Sequence, residues 1–242
     1  MPETTVREGV LQVRQPGTRW LSSGFDGGIR RADAAYNVTV PEGFDRTDLA
    51  AFAAERRAEA SFEPAGPTLL TGVAQRHARG ARRGSVTVLA TAGLSNPATL
   101  PMEPERGSEL LEGSSPEDGE RPPVGTVNLL VTTTHALDDG GLASLMATAV
   151  EAKTATLLQT VGFTGTTSDA VVVGADPGGE PAEFAGSATP LGDATRACVR
   201  ESVRASLEAR YADERPPASV DAAAHGAVTD GRADTFEPTH RQ

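Results

Sequence analysis

Gly125–Thr134 (GTVNLLVTTT), His135–Gly141 (HALDDGG), Leu142–Phe163 (LASLMATAVEAKTATLLQTVGF) and Thr164–Gly174 (TGTTSDAVVVG) follow one another without a break. Thr126 to Thr133 is almost wholly apolar or β-branched, the signature of a strand buried on both faces. Asp138 and Asp139 supply carboxylates where a helix cap needs them, and the helical pattern runs from about Gly141 to Thr160 before Gly162 ends it. Asp169 to Val173 is a second strand of the buried type. Strands alternating with helices predict an α/β protein.

Outward from this stretch, the spacing predicts shorter elements. Ser85–Thr91 (SVTVLAT) is a β-branched strand, Leu69–Val73 a brief apolar run and Tyr36–Val40 a short strand. Thr47 or Asp48 caps a helix reaching about Ala60, and Thr189 opens a last helix to about Tyr211 with Leu191, Ala194, Cys198, Val199 and Val203 at helical spacing. The expected fold is one domain over residues 1–211, a mixed β-sheet covered by helices, layered α/β/α or α/β/β/α. Residues 101–123 are rich in Glu, Pro, Gly and Ser and read as a flexible acidic loop, and residues 212–242 as a disordered tail.

The 33 acidic and 22 basic residues leave a net charge of -11. That balance argues against nucleic acid or an anionic membrane as partner, since both require a basic footprint. The acid excess suits a protein of concentrated salt, where screening relieves carboxylate repulsion. No apolar run reaches the ~20 residues of a membrane span, and MPETTVREGV lacks a signal-peptide pattern, so a soluble cytoplasmic protein is expected. The single cysteine, Cys198, excludes an internal disulfide and reads as a small core residue. His77 lies in an arginine-rich run. His135 lies beside Asp138 and Asp139 without a recognisable metal spacing, so no protein metal is expected.

Lys153 is the only lysine; every other basic residue is arginine. On its helix it falls on the stripe of Leu142, Leu145, Met146, Ala149 and Thr156, so it points toward the core and needs a carboxylate or anion there. Glu151 projects from nearly the opposite face. Three small polar loops, Thr91–Asn96, Gly125–Asn128 and Thr164–Asp169, adjoin the strong strands, and such strand-end loops are where α/β proteins gather binding groups.

The blocks GTVNLLVTTTHAL, AVEAKTATL, TGTTSDAVVVG and TAGLSNPA, with LSSGFDGG and AGSATPLG, resemble the adenosylcobinamide amidohydrolase family over about Trp20 to Arg204. The resemblance implies hydrolysis of the aminopropanol amide of adenosylcobinamide in cobalamin-precursor salvage. The cobalt then belongs to the substrate, and no protein cofactor is implied. A non-catalytic corrinoid carrier is the alternative.

Amide hydrolysis needs a nucleophile, a base and oxyanion donors. Thr126 is one candidate nucleophile, since Gly-Thr opening an apolar strand resembles, more distantly, self-processing amidases whose freed amine serves as base. The competing scheme uses a water activated by Glu151 or Asp169, with Lys153 stabilising the oxyanion or protonating the amine. Ser95, Asn96, Asn128, Thr166 and Ser168 are the candidate substrate-binding residues.

Overall fold

The computed structural model describes residues 1–103 and 125–239. In chain order these residues form β1 (Glu3–Arg7), β2 (Val10–Ser22), β3 (Gly28–Thr39), α1 (Leu49–Glu59), β4 (Thr68–Thr71), β5 (Arg79–Arg83), β6 (Val86–Ala92), β7 (Pro97–Thr99), β8 (Val127–Thr133), α2 (Asp139–Val161), β9 (Gly165–Thr166), β10 (Ala170–Ala175), α3 (Pro190–Arg210) and β11 (Ala227–Val228). The main sheet runs β4-β3-β2-β10-β8-β6-β5; β1 pairs with Val10–Arg14 of β2, on the edge whose Arg19–Ser22 end takes β10. It is mixed: β8 and β10 pair in parallel, as do β3 and β4, while β2–β3, β2–β10, β6–β8 and β5–β6 are antiparallel.

Strand alternation sorts the side chains into three cores. Val127, Leu129 and Val131 of β8, Val171 and Val173 of β10 and Val86, Val88 and Ala90 of β6 face α2 and α3. Ala34, Tyr36 and Val38 of β3 face outward against Phe52 of α1. The other faces of these strands meet each other: Leu11, Val13, Trp20 and Ala35 pack with Leu69, Leu130 and Val172. A sheet can touch itself this way only if it curls, and Asn37 of β3 does reach Thr91 of β6 (Nδ2 to Oγ1, 2.9 Å) across three intervening strands. The layering is therefore α/β/β/α, with both β layers being wings of one curled sheet.

The ends of α2 and the start of α3 follow the local chemistry read from sequence, whereas Asp48, at the N-cap of α1, makes no side-chain cap bond and pairs with Arg46 instead. Asp138 accepts from Gly141 N at 2.7 Å, Gly162 ends α2 at φ 80°, and Thr189 accepts from Gly192 N at 3.0 Å. The long β2–β3 hairpin was not legible beyond its fragments. Its polar outward residues and an irregularity between Arg14 and Thr18, where Gly17 takes φ 69°, break the alternation that would reveal it.

The C-terminal segment departs from the expected disorder. Ala227–Val228 pairs in parallel with β7, Val220 packs on the main core, and His225 N donates to Ser95 O at 3.1 Å. Backbone hydrogen bonds to an otherwise open strand edge hold it there, a cause no composition rule detects. The acidic loop expected over residues 101–123 lies outside the described residues from 104 onward. No helix among the described residues is long and apolar enough to cross a membrane.

Gly174 of β10 is the cross-strand partner of Trp20 of β2, and a Cβ there would stand 2.5 Å from the indole ring. Trp20 is fully buried and donates its indole N–H to Ala32 O at 2.9 Å, so it cannot retreat. Gly174→Val should cost about 3 kcal/mol or more of unfolding free energy by overpacking. Denaturant titration at fixed salt measures this, and a loss below about 1 kcal/mol would show that the Trp20 ring can shift off the neighbouring strand.

Candidate active site

The three polar loops converge at one end of the curled sheet. Thr167 N donates to Asn96 O at 3.1 Å, Gly93 N to Thr126 O at 3.0 Å, and Ser168 Oγ to Gly125 O at 3.2 Å. Gly125 permits the approach, since a Cβ there would lie 2.4 Å from Ser95 Oγ. These loops floor a cleft of about 600 Å³. Thr126, Thr71, Asn96, Thr167 and Ser168 supply its polar groups, and Phe25, Phe44, Val40, Leu49, Leu69 and Leu70 line its apolar wall.

Thr126 is 1% exposed and its hydroxyl donates to Thr71 Oγ1 at 2.7 Å. Asn96, also buried, donates from Nδ2 to Thr167 Oγ1 at 2.6 Å and to Ser168 Oγ at 3.3 Å, while its Oδ1 has no hydrogen-bond partner among the described residues. A buried acceptor left open at a cleft floor is costly unless something binds it. Arg46, at the rim, is the one side chain with a formal charge among the described residues lining the cleft. Asp48 and Glu55 hold its guanidinium above its usual pKa, and it draws both carboxyls below theirs.

Asp169 and Lys153 form a buried ion pair, with side chains 11% and 7% exposed. The carboxylate also accepts from Val127 N at 2.8 Å, from Thr166 N at 3.1 Å and from the Thr166 hydroxyl. Alternation turns Ser168 and Ala170 toward the cleft and Asp169 away from it, toward α2. With four donors bound, this carboxylate braces the peptide that follows Thr126 and is poorly placed to abstract a proton. The Asp169–Lys153 pair lies behind the cleft floor. Gly165 lets the pair close: a Cβ there would lie 2.6 Å from Asp169 Oδ2 and 3.3 Å from Lys153 Nζ.

The other candidates separate. Glu151 is exposed and paired with Arg196 of α3, on the outside of the helix layer and away from the cleft. A helical offset of two residues from Lys153 turns it to the opposite side. Asn128 lies beneath the floor with its amide saturated: Nδ2 donates to Asn37 Oδ1 and Leu70 O, both at 2.9 Å, and Oδ1 accepts from Ala170 N at 3.2 Å. It ties the two wings together. Thr166 is spent on Asp169, and Ser95 packs beside Gly125 at the rear of the floor. Asp138 caps α2, Asp139 pairs with Arg19, and His135 Nδ1 lies 3.0 Å from Glu180 O, so this group is structural. Cys198 is buried in the helix-side core, which raises its thiol pKa.

Thr71, Thr167 and the apolar wall escaped the sequence reading. Leu69–Thr71 showed only as a short apolar run, and nothing local marks Phe25 or Phe44 as facing the same cleft as Thr126. Long-range folding alone brings them there.

The scaffold is α/β, and its cleft sets hydroxyl and amide groups beneath an apolar wall, an arrangement that offers hydrogen bonds to a ligand with an apolar body. The model of the adenosylcobinamide amidohydrolase family matches residues 3–215, and the chain belongs to that family. An adenosylcobinamide amidohydrolase from Halobacterium salinarum is 56% identical over 240 residues, 98% of this chain and 100% of the relative. One from Methanosarcina mazei is 28% identical over 200 residues, 78% of this chain and 90% of the relative. The PH0078 protein of Pyrococcus horikoshii OT3 superposes with a TM-score of 0.40 at 13% identity, covering 85% of this chain and 78% of that one. The Halobacterium relative accords with the salt-adapted composition read from the sequence.

Proposed function

We propose that this chain adds water across the aminopropanol amide of adenosylcobinamide, releasing adenosylcobyric acid and 1-amino-2-propanol for cobalamin-precursor salvage in the cytoplasm. The observation that carries this reading is the Thr126 hydroxyl at the floor of an apolar cleft that Asn96 also lines, its Oδ1 without a hydrogen-bond partner among the described residues. A cleft of about 600 Å³ accommodates the reacting side arm and an edge of the macrocycle, with the apolar wall against the ring. Asn96 Oδ1 accepts the N–H of the scissile amide. The Thr167 hydroxyl, which accepts from Asn96, keeps its own proton to donate to the developing oxyanion.

Thr126 is the nucleophile in this reading. Its base is its own amine, freed when the Gly125–Thr126 bond opens. In that step Thr126 Oγ attacks the Gly125 carbonyl, whose oxygen Ser168 already holds. The peptide nitrogen leaves as the Thr126 amine, and water hydrolyses the resulting ester to a Gly125 carboxylate. In turnover the same Oγ forms an ester with the substrate acyl group. Aminopropanol departs with the proton carried by the Thr126 amine, and water then releases the acid. The support is chemical: the carboxylate scheme has Glu151 outside the cleft and Asp169 filled with donors. No protein cofactor enters; cobalt arrives with the substrate.

The test is incubation of the purified protein with adenosylcobinamide in high salt, with product mass and intact protein mass read together. Cobyric acid and aminopropanol with a chain split before Thr126 support the whole reading. Product from an unbroken 25.0 kDa chain overturns the freed-amine base. Binding without product overturns hydrolysis in favour of the carrier.

A further inference from the structure

On the outer side of the helix layer, α2 and α3 leave a groove of about 530 Å³ that shares no lining residue with the cleft. Arg83, Arg196, Arg200 and Arg204 line it, and Asp193 is the one carboxylate among its lining residues. The α2 wall adds only uncharged residues such as Gln159 and Thr160. In a chain with 33 acidic and 22 basic residues, such a concentration of cations runs against the overall charge.

The existing partners hold these arginines weakly. Arg83 meets Asp193 at 2.6 Å, Arg200 meets Glu201 at 2.7 Å, and Arg196 pairs with Glu151. All three pairs are exposed, with side chains 38–60% accessible, and exposed pairs contribute about 0–1 kcal/mol each. Arg204 makes no ion pair among the described residues. Guanidinium forks match phosphate oxygens two at a time, and a multiply charged anion touching several forks outcompetes separate carboxylates. Arg196, Arg200 and Arg204 recur at every fourth residue of α3 and so span about 12 Å along it, more than one tetrahedral anion covers, which selects a chain of phosphates.

We propose that this groove binds a di- or triphosphate chain, inorganic or borne by a nucleotide. The experiment is calorimetric titration of the full-length protein, at one fixed salt concentration, with tripolyphosphate, ATP, orthophosphate and sulfate. Tripolyphosphate should bind at least tenfold more tightly than sulfate or orthophosphate. The double variant R200A/R204A should weaken it at least tenfold while amide hydrolysis and the melting midpoint stay unchanged. ATP binding as well as tripolyphosphate assigns a nucleotide source, and tripolyphosphate alone an inorganic one. Tripolyphosphate binding no tighter than sulfate, or equal binding by the double variant, overturns the site.

Discussion

Thr126→Ala is expected to lower kcat for adenosylcobinamide hydrolysis by about 10³-fold or more, the usual consequence of deleting a nucleophile. Folding should survive, because the variant loses one hydroxyl bond, to Thr71, worth about 1 kcal/mol. Substrate binding should survive too, since the apolar wall and Asn96 remain. The loss should therefore fall on kcat with little change in KM. Thr126→Ser keeps the hydroxyl and should retain measurable turnover. If the split before Thr126 is self-made, Thr126→Ala also stays as one chain, which an intact mass shows directly. A kcat within tenfold of the parent would remove Thr126 from the chemistry and return the role to an activated water.

Lys153→Met is expected to cost about 3 kcal/mol of unfolding free energy, read by denaturant titration at fixed salt. Removing one partner of a buried ion pair strands the other, at about 3–5 kcal/mol. The lower end applies because Asp169 keeps its bonds from Val127 N and from Thr166 N and hydroxyl. Lys153→Arg should not restore stability, because a planar guanidinium does not reproduce the single-point contact that a compact ammonium makes with Asp169 in a buried pair. Activity should fall as well, since the brace sets the backbone that presents Thr126. Glu151→Gln is the control: its exposed pair with Arg196 should contribute under 1 kcal/mol, and activity should not change. A Lys153→Met protein as stable as the parent would mean that Asp169 is held adequately by hydroxyl and amides alone.

The central strand–helix–strand stretch was readable because both faces of β8 and β10 are buried, which forces apolar runs, and because helix caps are chemically local. The acidic, lysine-poor composition was equally plain. The site was readable only in part. Thr126, Asn96 and Ser168 do face the cleft, but Asn128 and Thr166, the same kinds of residue in the same loops, spend their polar atoms inside the fold. Which of two polar neighbours meets the cleft depends on strand alternation and on the wing lying opposite, and a residue type carries neither.

Sequence by itself determined the α/β class, the helix limits and the inward direction of Lys153, because periodicity and capping act over a few residues. Tertiary structure decided what Lys153 meets, that Glu151 stands outside with Arg196, and that Phe25, Phe44 and Thr71 complete a cleft over Thr126. The completed cleft follows from the curl of one sheet, which brings Asn37 to Thr91 across three strands. Curl is a collective result of twist and packing, so no short segment encodes it.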